Sequence, residues 1–553
     1  MPSVRDVVGA GATVILLVAS ALPGHAQPVS AQPAGAMAFS DQSIAAGLGA
    51  RHPGAVSAPP TAPGGAVGDF DGDGWPDVFY ATGGGAPDRL FQNRGDGTFV
   101  DVAAPAGVAA VHRAQGAAAA DVNGDGALDL FIPTLRTGDP ALPPYGRLML
   151  YLNRGDGSFS CCARYLDPDR RLASNVGGIA PAFGDYDLDG DLDLFVAGWE
   201  PGGTGNVLFR NDGTEVPGAE GAVTFVEVAR AAGIAEDDVL AFASRFVDLN
   251  GDFYPELLVA GDFGSSRYYR NNGDGTFRDA TRNAGAGREA NGMGLAVSDL
   301  DGDGMQDWYV TSVYTRAPLH RTPGTGNTLY LSSGPDRFRE SASVAGVLQG
   351  GWGWGVAAAD LDHDGRIDLV TTTGWGEPNG AGVMEWDGQP TFLFRNLGNE
   401  EGVPLFVEVA DAAGLRHTRQ GRGLVHLDYD RDGDQDILIF NHGDGPSLFR
   451  NDRTVGHWLR ISLDTSATPA LAPHGWGARV RVTTGLGLQV RVVGTGGYFA
   501  TSELTLHFGL GDWAGPASVE VAWPDGTATE LSAVDVDQAL AILAPAPGPP
   551  AGR

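Results

Sequence analysis

The sequence contains only two cysteines in 553 residues, Cys161 and Cys162, and they are adjacent. Disulfides therefore do not hold this chain together. The two are either idle thiols or a strained vicinal disulfide in an oxidising compartment. Positive charge is also scarce: 36 Lys and Arg against 68 Asp and Glu leave a formal net charge of −32 and a pI near 4.5. A chain this acidic repels phosphate backbones and anionic headgroups, so nucleic acid and bare membrane are excluded as expected partners. After the N-terminal segment, no apolar run approaches the roughly 20 residues of a membrane span. Catalytic signatures are missing as well. There is no zinc-type His/Cys cluster, nucleophile elbow or phosphate-cradling loop, and His417 and His426 stand isolated.

What the chain has in excess is glycine and clustered acid. With 84 Gly, 35 Pro and 42% hydrophobic residues, it reads as many short strands joined by tight turns. The hydrophobic share argues against disorder. Residues 1–26 read as a secretory signal: Arg5 gives a weak positive start, an apolar run follows from Val7 to Leu22, and Gly24-His25-Ala26 offers small residues for cleavage. The expectation is cleavage near Ala26 and a secreted mature protein, extracellular or periplasmic.

A nonapeptide, D-x-[DN]-x-D-G-x-x-[DE], begins at Asp69, Asp121, Asp185, Asp248, Asp299, Asp360 and Asp428, with spacings of 52, 64, 63, 51, 61 and 68 residues. That period suits one propeller blade per repeat. A small-residue strand precedes each loop, as in Gly116–Ala120 and Gly355–Ala359, and suits the crowded axis of a ring. A β-prone run follows, such as Val78-Phe79-Tyr80. A third segment ends in Asn and a glycine turn, at Asn93, Asn153, Asn211, Asn271, Asn396 and Asn451, with Ser332 in the fifth repeat. These positions are expected to be hairpin turns, where Asn and Gly tolerate positive φ. A fourth strand opens on Phe and an acid, as in Phe99-Val100-Asp101, but the seventh repeat lacks it. Phe39-Ser40-Asp41 supplies the missing strand from the N-terminus. The expected fold is therefore all-β, a seven-bladed propeller over 37–452 closed by its own N-terminal strand.

Alternate carboxylates at loop positions 1, 3 and 5, with an acid at 9, suit a hard cation that takes six to eight oxygens, and calcium fits better than magnesium. Glycine at position 6 allows the turn that folds those oxygens inward. The expected ligands are Asp69, Asp71, Asp73 and Asp77; Asp121, Asn123, Asp125 and Asp129; Asp185, Asp187, Asp189 and Asp193; Asp248, Asn250, Asp252 and Glu256; Asp299, Asp301, Asp303 and Asp307; Asp360, Asp362, Asp364 and Asp368; and Asp428, Asp430, Asp432 and Asp436. The loops hold 28 of the 68 acids, and seven Ca²⁺ would move the net charge from −32 to −18. Without cations these carboxylates repel one another, so calcium is expected to be part of folding. The fourth loop has Phe253 where glycine belongs and is expected to be the weakest site.

The loops and hairpin strands resemble FG-GAP/VCBS repeats over roughly 39–452. The strands from His457-Trp458-Leu459 through Val519-Glu520-Val521 resemble the ASPIC/UnbV domain, giving a small β domain at 457–543 and a Pro-rich tail at 544–553. Where that family often has Ser-Asn-Arg, this chain has Ala472-Pro473-His474. The combination resembles the cartilage acidic protein family, which implies calcium binding and extracellular interaction but no agreed chemistry.

Regular loops in every repeat read as structural staples, so function is expected on the opposite face, where loops vary. Trp199, Tyr314, His320, Trp352, Trp354, Trp375, Glu377 and Trp386 fall there, with Arg288, Arg419 and Arg422 on the links. Such residues can bind a protein or glycan ligand, although Trp352 and Trp354 could equally pack between blades. The alternative is a calcium-dependent propeller enzyme, a polysaccharide lyase or a tailoring enzyme of secondary metabolism. Arg94-Gly95-Asp96 and Arg154-Gly155-Asp156 spell an adhesion tripeptide, but Asn272-Gly273-Asp274 at the same phase assigns the Gly-Asp to the turn.

Overall fold

The computed structural model describes residues 37–49, 63–134 except 85, 112 and 113, 148–161, 178–199, 205–213, 223–315 except 236 and 237, 324–375, and 386–546 except 387, 454 and 495. The expected signal segment, Cys162, His320, Glu377 and the end of the tail lie outside the described residues. Among the described residues no helix is long and apolar enough to cross a membrane.

Each repeat becomes one antiparallel sheet of four strands. The first runs Gly64–Gly68, Asp77–Ala81, Arg89–Asn93, Phe99–Asp101, and six more follow in chain order. In the seventh, Phe39–Asp41 pairs antiparallel with Ser447–Asn451, Phe39 opposite Asn451, and so completes the last sheet from the other end of the chain. The innermost strands touch one another in sequence order, and the seventh, Gly421–Leu427, returns to touch the first. The sheets therefore form a closed ring, with small residues such as Ala118–Ala120 facing the axis. Single helical turns link some sheets, for example Ala103–Ala106, which ends on Gly107 at φ 84°.

The C-terminal module packs two sheets on a core that includes Leu459, Val480, Phe508 and Trp523. One holds His457–Asp464 between Leu506–Gly511 and Gln538–Leu543; the other orders Gly487–Val492, Arg479–Thr484, Ala517–Ala522 and Ala528–Val534. The sequence leaves open whether this module docks on the ring. It does more than dock: it sends a segment down the axis. Ala500–Thr501 pairs in parallel with the first inner strand, Gly65 opposite Ala500 and Ala66 opposite Thr501. Phe499 and Tyr498 are buried at the tip of this plug. A Cβ at Gly64 would lie 1.9 Å from the Phe499 carbonyl oxygen, and one at Gly116 2.7 Å from it, so glycine is required at the start of the first inner strand and just before the second.

Candidate metal centres and the opposite face

Every loop is closed by its own backbone. The position-1 carboxylate accepts N–H groups from within the loop, as Asp69 does from Gly72 and Gly74, both at 2.8 Å. The position-5 carboxylate accepts from the position-7 N–H in all seven, at 2.8–3.0 Å. The position-9 acid accepts from the position-2 N–H at 2.9–3.2 Å. In six loops its second oxygen accepts the N–H of the hairpin residue, at 2.7–2.8 Å. The ninth residue thus staples the loop to the third strand of its own sheet.

The carboxylates converge unequally. Asp69, Asp71 and Asp77 place oxygens within 4.8 Å of one another, as do Asp185, Asp187 and Asp193; Asp299, Asp301 and Asp303; Asp360, Asp362 and Asp368; and Asp428, Asp430 and Asp436. The remaining loops fill their space otherwise. In the second, the Asn123 amide donates to Asp125 at 2.8 Å. In the fourth, the Asn250 amide donates to Glu256 at 2.8 Å, taking the oxygen that a hairpin N–H takes elsewhere.

Burial pushes the clustered carboxyls up from their usual range, and neighbouring carboxylates add to the push. Asp77 and Asp129 rise to about 8, Asp185, Asp360 and Asp428 to about 7, and Asp187 and Asp301 to about 6. Among the expected ligands, four carboxylate oxygens are buried with no hydrogen-bond partner: Oδ1 of Asp187, Asp362, Asp428 and Asp430. An unpartnered buried oxygen is costly, and a hard cation is the partner this donor set fits. Four of the eleven described non-glycine residues with positive φ lie in the same loops. Leu188, His363 and Arg431 at position 4, and Phe253 at position 6, take φ of 59°, 53°, 55° and 70°. A side chain costs about 1–2 kcal/mol in that region.

The hairpin asparagines do something the sequence reading missed. None of them adopts positive φ; the glycines that follow do, Gly95 at 68° and Gly97 at 82°. The asparagine side chains reach across the junctions between sheets instead. Nδ2 of Asn93, Asn153, Asn211, Asn271, Asn396 and Asn451 donates to the position-2 carbonyl of the preceding loop, on Tyr429, Phe70, Val122, Tyr186, Leu300 and Leu361, at 2.8–3.0 Å. The bond from Asn93 to Tyr429 closes the ring. Ser332 is too short for this latch. At that junction Asp336 accepts from the Tyr268 hydroxyl at 2.5 Å and pairs with Arg270 at 2.7 Å. The recurrence of Asn in every repeat but one was the signal available in the sequence. The exposed Asp96 carboxylate accepts from Thr98 within its own turn, as expected of a turn residue.

The module lies over the loop face. Arg460 pairs with Asp428 at 3.0 Å, Arg479 with Asp248 at 3.4 Å, and the Arg491 charge faces Asp360 and Asp299. Pro469 and Ala470 close on Gly190 of the third loop.

At the far end of the axis is an aromatic cluster. Trp352 stacks on Trp375 and meets Trp386 edge-on, both at 5.0 Å. Trp354 lies 5.6 Å from Tyr498 of the plug, and the Arg422 guanidinium sits 4.2 Å over its ring. Trp199 stacks on Phe242 and donates to Asp262 at 3.2 Å. Two placements differ from expectation. Arg422 belongs to the inner strand Gly421–Leu427, not to a link, and is buried. Trp386 is a core residue, packed edge-on against Trp352; Trp354 is buried against the plug, as its packing alternative expects, while Trp199, Trp352 and Trp375 remain half-buried. Arg288 and Arg419 do lie in connecting segments, and Arg419 donates to Ser447 at 3.0 Å. His417 and His426 are packed imidazoles held neutral by burial.

A ring of four-stranded sheets with an acidic loop in each defines a propeller-class repeat protein. Within that class the chain is an FG-GAP-like repeat protein with a C-terminal ASPIC and UnbV domain. The FG-GAP-like repeat matches residues 69–132, 141–196, 248–310 and 319–371, and ASPIC and UnbV matches 469–548. The chain is homologous to cartilage acidic protein 1: 27% identical to the human protein over 78% of this chain, and 27% identical to the mouse protein over 87%. It spans 63% of the human protein's length and 73% of the mouse protein's. A solved lectin of Agrocybe aegerita, described as recognising non-reducing terminal N-acetylglucosamine, aligns at 16% identity with a TM-score of 0.40, over 69% of this chain and 86% of that one.

Proposed function

We propose that this protein is a secreted, calcium-loaded seven-bladed propeller that binds a protein or glycan through the face opposite its acidic loops, without catalysing a reaction. The unpartnered buried oxygens of Asp187, Asp362, Asp428 and Asp430 support calcium. Bound there, calcium supplies the positive charge that the clustered carboxylates lack, and the position-1 and position-3 residues hold it.

The observation that carries the choice of face is that the C-terminal module covers the loops and plugs the axis. The far end keeps half-buried indole surface on Trp199, Trp352 and Trp375, beside a fixed guanidinium at Arg422. Indole faces stack on sugar rings or peptide side chains, and a rigid ring presents them at low entropic cost.

The test is a binding screen of the calcium-loaded chain against a glycan array and an extracellular protein panel, repeated with Trp352→Ala. Saturable binding lost in the variant supports the reading. Binding unaffected by Trp352→Ala, or turnover of the captured ligand, overturns it.

A further inference from the structure

The plug does not fill the axis. Between it and the inner strands of the fourth to seventh sheets lies a cavity of about 120 Å³, with walls of small residues such as Ala296, Ala357 and Gly497. At about 10–15 Å³ per water-sized sphere, this takes roughly eight to twelve such spheres, or a molecule of similar bulk.

The polar groups lining the cavity are not balanced. Arg245, on the fourth inner strand Ala241–Val247, donates through Nη2 to the Gly494 carbonyl of the plug at 3.1 Å. Its Nε is buried with no partner, and so is Nε2 of Gln306, a residue only 4% exposed. Among the described residues no carboxylate lies within ion-pair distance of Arg245. The other charged groups on the lining are already matched. Arg491 faces Asp360 and Asp299, and Glu503 is held by Arg460 at 3.3 Å. His426 shares a hydrogen bond with Gln435 at 2.7 Å, and His507 Nε2 with the Gly433 carbonyl at 3.0 Å, leaving His507 Nδ1 as an unmet acceptor; burial keeps both imidazoles neutral. The cavity thus presents one unpaired guanidinium and two unmet N–H donors. Desolvation alone pulls the Arg245 pKa down to about 10. Unpaired buried charge and unmet donors are costly, and a planar carboxylate satisfies both.

We propose that this axial cavity is a binding site for a small organic carboxylate, with the bulk of acetate to succinate, seated on Arg245 and Gln306. The site exists only when the plug is in place, because Gly494, Gly497 and Ser502 form one of its walls. It borders the fifth, sixth and seventh loops through Gln306, Asp360 and Gln435, and none of the half-buried tryptophans lines it.

The experiment uses the full calcium-loaded chain in chloride buffer at constant ionic strength. Isothermal titration with sodium succinate, sodium acetate and sodium sulfate, and the melting temperature with each, are measured for the wild type, Arg245→Gln and Gln306→Leu. The expected result is saturable one-to-one binding of acetate or succinate with a raised melting temperature. Affinity should fall tenfold or more in Arg245→Gln and less in Gln306→Leu. Removing an unpaired buried cation should leave the ligand-free Arg245→Gln melting temperature unchanged or higher. If Arg245→Gln does not fold, Gln306→Leu carries the test through its lowered affinity. Three results overturn the proposal: no saturable binding of either carboxylate, affinity unchanged in the folded variants, or sulfate bound as tightly as the carboxylates.

Discussion

Nη2 of Arg479 lies 3.4 Å from both the carboxylate and the backbone carbonyl of Asp248. A guanidinium from the C-terminal module thus stands at the one loop that lacks glycine at position 6. Arg460 does the same at Asp428, but the seventh loop keeps a three-carboxylate cluster in Asp428, Asp430 and Asp436, which the fourth loop lacks. Calcium counted by isothermal titration or elemental analysis should come to fewer than seven ions per chain. Asp248→Asn should leave the count unchanged, while Asp428→Asn should lower it. A lower count in Asp248→Asn would mean that the fourth loop holds metal beside Arg479.

The asparagine latches should be costly to remove. Asn153→Ala leaves the carbonyls of Phe70 and Leu128 without their donor inside the ring. The expected loss is about 1–3 kcal/mol by calcium-saturated urea unfolding. Asn272→Ala, in the exposed part of a comparable turn, should change stability by less than about 0.5 kcal/mol. Equal effects would refute the latch.

The metal-free chain should respond to pH in the opposite sense to most proteins. The folded-state pKa values of Asp77 and Asp129, about 8, and of Asp185 and Asp360, about 7, lie above the ordinary 3.8. Unfolding therefore releases protons between pH 4 and 8, so the metal-free fold is most stable at the acid end of that window and loses stability as pH rises through it. Calcium needs the ionised carboxylates, so its affinity should rise over the same window. Melting temperatures at pH 5, 6, 7 and 8, with and without calcium, check both signs. The gap between the two curves should widen toward pH 8.

The plug offers a contrast between two substitutions at one residue. Tyr498 is buried against Phe242 and Trp354, and its hydroxyl has no partner. Tyr498→Phe should be neutral or slightly stabilising, since it removes an unmet polar group. Tyr498→Ala should cost about 3–5 kcal/mol through the cavity it leaves.

Much of the fold was legible because its information is local. A nine-residue loop needs only its own carboxylates and backbone N–H groups to close. The period of the loops and the displaced Phe39 strand pointed to a ring closed by its own N-terminus. The hairpin Asn was visible as a pattern but misread. Its backbone φ is ordinary, and its bonds go to carbonyls 83 to 96 residues away in most sheets, and 336 away where the ring closes.

The sequence by itself determined the repeats, the acidic loops and the β module that follows them, because period, turn chemistry and charge clustering are properties of short segments. Only the tertiary structure decided where that module goes. Arg479 meets Asp248 across 231 residues, and Arg245 meets the Gly494 carbonyl across 249. No local pattern specifies such meetings. They depend on a plug that fits one axis, and on that axis being narrow enough to require glycine at Gly64 and Gly116.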